Sequence, residues 1–65
     1  MITADTITDE QIRELYDAGE ISFERLYRAV HRERPVGFSQ AAYERQRNGA
    51  RARCAEILNA RKGSK

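Results

Sequence analysis

An apolar residue followed by Thr or Ser, three further residues and a second apolar residue occurs three times along the chain. The instances are Ile7-Thr8…Ile12, Ile21-Ser22…Leu26 and Phe38-Ser39…Tyr43. In each, the hydroxyl residue suits an N-cap and the flanking apolar pair suits a hydrophobic staple, so each marks a helix start. The pattern predicts an all-α, three-helix domain with helices over 9–18, 23–33 and 40–61. Thr8 and Gln11 match the S/T-x-x-E/Q capping box, and Ile12, Leu15 and Tyr16 share one face of the first helix. Gly19 is its natural stop. In the second helix Phe23, Leu26, Tyr27 and Val30 fall at i, i+3, i+4, i+7. Pro35 closes that segment and opens a connecting loop.

The third helix is the ambiguous one. Tyr43, Ala50, Cys54, Ile57 and Leu58 make one continuous stripe, yet Asn48-Gly49 is a helix-stop signal inside it. One long helix keeps the apolar phase unbroken and is favoured over two helices split at Asn48-Gly49. The basic tail over 62–65 is expected to fray.

Length limits what this domain can bury. A chain near 65 residues removes only about 60% of its unfolded surface from water, so a small helical domain is marginal without support. A lone Cys54 excludes an intrachain disulfide, and with His31 as the single histidine there are too few ligands for a tetrahedral zinc site. No metal or cofactor is expected, and association with a partner or a second copy is. No stretch is apolar for the roughly 20 residues that span a bilayer. The first residues lack the basic start and apolar run of a secretory signal, so a cytoplasmic protein is expected.

Charge is divided unevenly. Residues 1–24 carry seven acids and one base, and residues 25–65 carry eleven bases and three acids, although the net charge is only +2. Arg25, Arg28 and Arg32 fall at i, i+3, i+7 on the second helix, and Arg45, Arg47, Arg51 and Arg53 lie on the third. Arginines in this number would neutralise phosphates and position a nucleic acid; the bland alternative is a solvated face balanced by the acidic first helix. A helix-turn-helix over the first two helices fits at Leu15, Ile21, Leu26 and Ala29. It fails where Tyr16 replaces a small residue and Glu20 replaces the turn glycine. Phe23, Tyr27, Phe38 and Tyr43 exceed the needs of so small a core, which makes Phe23 and Tyr27 candidate exposed anchors for a protein partner.

Catalytic machinery is not indicated. His31 has no nucleophile arrangement around it, Cys54 sits on the inner stripe, and Asp9 and Glu10 are accounted for as partners of a helix N-terminus. A non-enzymatic binding protein without a small-molecule substrate is expected. A nucleic-acid-binding regulator comes slightly ahead of a protein-binding inhibitor or adaptor, with a homodimer through Tyr43, Cys54 and Ile57 compatible with either.

Two segments carry a resemblance. Thr8-Asp9-Glu10-Gln11-Ile12-Arg13-Glu14-Leu15 and Ala50-Arg51-Ala52-Arg53-Cys54-Ala55-Glu56-Ile57-Leu58-Asn59-Ala60-Arg61 resemble the first and last helices of small helical proteins of phages, prophages and plasmids. The resemblance covers about 20 of the 65 residues and leaves 19–49 outside it. It implies a mobile-element origin and action by binding host or phage macromolecules, and it transfers no functional residue.

Overall fold

The computed structural model describes residues 1–63, with side chains through Arg61, as three helices: α1 (Asp9–Asp17), α2 (Phe23–Val30) and α3 (Gln40–Gly63). No strand occurs among the described residues. All three starts are capped by the expected residues. The Gln11 amide donates to the Thr8 hydroxyl at 3.1 Å and the Thr8 amide to Gln11 Oε1 at 2.9 Å, closing the box. Ser22 accepts from the Arg25 amide at 3.2 Å, and Ser39 from the Ala42 amide at 3.1 Å. Of the staple residues, Ile7, Ile12, Ile21 and Tyr43 are buried and Leu26 is half-buried, whereas Phe38 stays partly exposed with its ring edge-on to Tyr43 at 6.5 Å.

α1 ends where Gly19 permits. With φ at +77°, Gly19 lets its own amide reach the Tyr16 carbonyl and the Glu20 amide reach the Leu15 carbonyl, the paired bonds of a Schellman motif. α2 stops at Val30 rather than continuing to 33, and His31 turns extended (ψ 127°). Two donors from α3 account for the early stop. The Tyr43 hydroxyl donates to the His31 carbonyl at 2.6 Å, and Arg51 Nη1 donates to the Ala29 carbonyl at 3.2 Å. Carbonyls that a further helical turn would have satisfied are satisfied by side chains. The following turn places Gly37 at φ +94° beneath a Phe38-to-Pro35 backbone bond.

α3 runs unbroken through Asn48-Gly49 and its backbone continues to Gly63, two residues beyond the expected 61. The backbone of 62–63, expected to fray, is helical, and the rest of the expected tail, 64–65, lies outside the described residues. A break at 48–49 would separate Tyr43 from Ala50, Cys54 and Ala55, all buried on one helix. Burial of that stripe outweighs the roughly 1 kcal/mol that a mid-helix glycine costs relative to alanine. At 24 residues α3 is about 36 Å long, and it sets the 44 Å long axis of a molecule only 21 × 14 Å across.

The core is thin. Ile7, Ile12, Leu15, Ile21, Ala29, Ala50, Cys54 and Ala55 form it, with Ile2, Leu26, Val30, Ile57 and Leu58 packed partly against it. The first seven residues are part of this structure. A turn at Thr3–Thr6 folds the chain back, and Asn59 grips Ile2 at both ends: its Oδ1 accepts from the Ile2 amide at 3.0 Å and its Nδ2 donates to the Ile2 carbonyl at 2.8 Å.

Arg51 joins these pieces. Its Nε donates to the Ala4 carbonyl at 3.0 Å, Nη1 to Asp9 at 3.1 Å and to Ala29 at 3.2 Å, and Nη2 to the Ile7 carbonyl. Its side chain is only 12% exposed. Arg51→Ala would leave three carbonyls and a carboxylate without their shared donor, at a cost of about 3 kcal/mol or more. Thermal denaturation by circular dichroism should show a Tm at least ~12 °C lower, or no folded state at all. Arg45→Ala, at an exposed site, should shift stability by less than about 0.5 kcal/mol. A Cβ at Gly49 meets nothing within 4 Å, so Gly49→Ala should raise stability by about 1 kcal/mol in urea titration.

Candidate binding surfaces

The seven candidate arginines do not form one face. Arg51 is the internal clamp just described. Arg28 pairs with Glu24 at 3.2 Å, Arg53 with Glu56 at 3.4 Å, and Arg32 with Asp9 at 3.3 Å, the carboxylate that Arg51 also holds. Arg25, Arg45 and Arg47 make no ion pair among the described residues; Arg25 and Arg45 are exposed and Arg47 is half-buried. Arg45 lies about 140° around the α3 wheel from buried Ala50, on the outer side. The structure brings Arg25 and Arg28 together and separates Arg32 from them. Because α2 ends at Val30, Arg32 sits beyond the helix and reaches across to α1 instead of extending the flank.

Arg25 and Arg28 wall a cleft of about 240 Å³ between α2 and α3, with Ser22 and Glu24 on the same side and Gln46, Gly49 and Ala50 opposite. It is the basic flank of α2. The other flank is aromatic. Tyr16 of α1 meets Phe23 edge-on at 6.0 Å between ring centroids, Phe23 meets Tyr27 at 6.3 Å, and Tyr27 stacks on His31 at 4.4 Å with only 18° between the planes. Phe23 is 62% exposed and Tyr27 48% exposed, with Tyr16 also open to solvent.

The expected inner stripe of α2 thus divides. Leu26 and Val30 turn inward beside the fully buried Ala29, while Phe23 and Tyr27 face outward. Ala29 is the smallest side chain on α2, and its burial lets the helix approach α3 along a line rotated away from the two rings. Tyr16, expected on the inner face of α1, follows Phe23 outward. The i, i+4, i+8 spacing of Phe23, Tyr27 and His31 was readable from the sequence; the cleft had no signal beyond the unexplained Gly49.

Cys54 and Tyr43 are both consumed in the chain's own core, which removes two of the three contacts expected of a homodimer; Ile57 is half-buried. Burial pushes the Cys54 thiol above its ordinary range, against the downward pull of Arg25, Arg51 and Arg53. It is held as a neutral thiol. Among the described residues no three His, Cys, Asp or Glu side chains are grouped to hold a metal ion, and no helix is long and apolar enough to cross a membrane. Neither protein-family models, nor curated proteins, nor solved structures match the chain.

The Cys54 environment has a pH consequence. Its pKa is higher folded than unfolded, so its contribution is fully present below the ordinary value of 9.0 and is lost as pH rises toward the folded value. Urea titrations between pH 7 and pH 10 should show stability falling above about pH 9 in the wild type more steeply than in Cys54→Ala. Alkylation of the native thiol should be slow at pH 7 and become fast in denaturant.

Proposed function

We propose that this chain is a non-enzymatic protein-binding module, an inhibitor or adaptor whose working surface is the ring ridge Tyr16–Phe23–Tyr27–His31. The observation that carries the reading is the ridge itself: four rings in edge and stacking contact, two of them about half exposed or more, on a domain with little apolar material to spare. Aromatic side chains concentrate binding energy because they are large, rigid and lose little rotamer freedom on docking. Rings already braced against one another lose still less. The arginines support the same reading by their engagement, since Arg28, Arg32, Arg51 and Arg53 each hold an acid of the same chain. The resemblance of the two terminal segments to phage and plasmid proteins points to a host or phage protein as the partner, met in the cytoplasm, where the lone thiol stays reduced.

A nucleic-acid-binding regulator is the second reading, favoured by Arg25 and Arg28 converging on one cleft, with Arg45 in no ion pair among the described residues. As a recognition helix, α2 offers only eight residues, and Arg32 falls outside it.

The two readings separate in one pair of measurements. Affinity capture from lysate of the encoding organism should retain a stoichiometric protein, and Phe23→Ala/Tyr27→Ala, folded by circular dichroism, should weaken that complex by about 30-fold or more. Equal retention by the double variant would sink the ridge as the surface. A salt-sensitive shift of duplex DNA, abolished by Arg25→Glu/Arg28→Glu, would establish the regulator in its place.

A further inference from the structure

We infer that the cleft between α2 and α3 is a binding site for the phosphate group of a phosphate ester, floored by Gly49 and gripped by Arg25 and Arg28. Gly49 lies in mid-helix with ordinary helical backbone, since the positive-φ glycines are Gly19 and Gly37. Its conformation therefore does not require glycine. Packing does not require it either, because a Cβ there meets nothing within 4 Å. Helix stability alone would favour alanine. The missing Cβ serves no contact inside the chain, and the space it leaves opens into the cleft. Absence of a side chain is what allows a ligand to approach a backbone closely.

The chemistry of the walls identifies the ligand. Arg25 carries a guanidinium with no ion pair among the described residues, and its backbone amide is already satisfied by Ser22. Arg28 is held by Glu24 in an i, i+4 pair with both side chains more than half exposed, a contact weak enough for a stronger anion to displace. Gln46 adds an amide donor from the facing helix, and the Ser22 hydroxyl, acceptor in the cap bond, keeps its proton to donate. Two guanidiniums, an amide and a hydroxyl around one space exceed what a single carboxylate can accept. They match the several oxygens of a phosphate, which guanidinium forks bind through paired, charge-assisted hydrogen bonds. The formal charge of the lining, two cations against Glu24, is positive before a ligand arrives. The same phosphate chemistry occurs on a free nucleotide and along a nucleic-acid strand, and the site accepts the group from either.

The test follows backbone amide shifts of the full chain by NMR at constant ionic strength, during titration with inorganic phosphate, adenosine monophosphate and a ten-nucleotide single strand. Saturable shifts centred on Arg25, Arg28 and Gly49 are expected with phosphate-bearing probes and not with chloride. A tighter mononucleotide identifies a free ester as the source; a tighter strand with steep salt dependence identifies nucleic acid. Arg25→Gln should weaken binding by about tenfold or more while leaving the melting temperature unchanged. Gly49→Ala should weaken binding by about tenfold while raising the melting temperature, a combination that a merely structural glycine does not produce. No saturable shift at these residues with any of the three probes, or unchanged affinity in either variant, overturns the inference. Failure here leaves the ridge untouched, since its test uses Phe23 and Tyr27 and a protein partner.

Discussion

Arg51 donates to the carbonyls of Ala4, Ile7 and Ala29 and to the carboxylate of Asp9. Those four acceptors belong to the N-terminal segment, the start of α1 and the end of α2, and the donor belongs to the middle of α3. A single planar fork thus ties the N-terminal segment and all three helices together. Hydrophobic burial drives collapse but is non-directional, and a core whose largest fully buried side chains are Ile7, Ile12, Leu15 and Cys54 leaves room for helices to slide. Directional bonds to three carbonyls do not permit sliding. The guanidinium suits the role because it is weakly hydrated and always charged, so little is lost on sheltering it when its donors find acceptors. Asp9 supplies the neutralising charge and suits the N-terminus of α1 at the same time.

The clamp has a consequence at α2. By taking the Ala29 carbonyl, Arg51 helps end the helix at Val30, and Tyr43 takes the His31 carbonyl one step later. A helix of two turns seated on Ala29 cannot bury two rings as well as Leu26 and Val30. Phe23 and Tyr27 are left on the outer side, where Tyr16 and His31 complete a ridge. Exposed apolar rings on a marginal domain are a solubility liability, and here they brace one another by ring contacts along the ridge. On the opposite flank of the same helix, Arg25 and Arg28 face α3 across the cleft. One short helix therefore carries both surfaces, apolar toward α1 and basic toward α3.

Charge counted along the chain misrepresents charge on the molecule. The excess of bases after residue 24 reads as a positive face. Folding redistributes it: Arg51 goes inside, Arg28, Arg32 and Arg53 are held by acids, and Arg25 lines the α2–α3 cleft while Arg45 lies on the outer side of α3. Arg32 and Arg51 both meet Asp9 from the acidic segment, so the two halves of opposite charge meet each other.

Local physics made much of the fold legible. Thr8, Ser22 and Ser39 set three helix starts because a cap needs only the next three amides, and Gly19 set a helix end because the Schellman geometry is equally local. The three-helix class and the unbroken apolar phase of α3 follow from periodicity. Tertiary contacts decided the rest. The end of α2 depended on donors twelve and twenty-two residues away, and the ordering of the first seven residues depended on Asn59 and Arg51. Whether an arginine is a surface charge or an internal clamp, and whether a ring is core or ridge, depends on which carbonyls and which neighbours the fold brings within reach. Residue type and spacing are the same in both cases, so only the packed chain distinguishes Arg51 from Arg53 or Phe23 from Leu26.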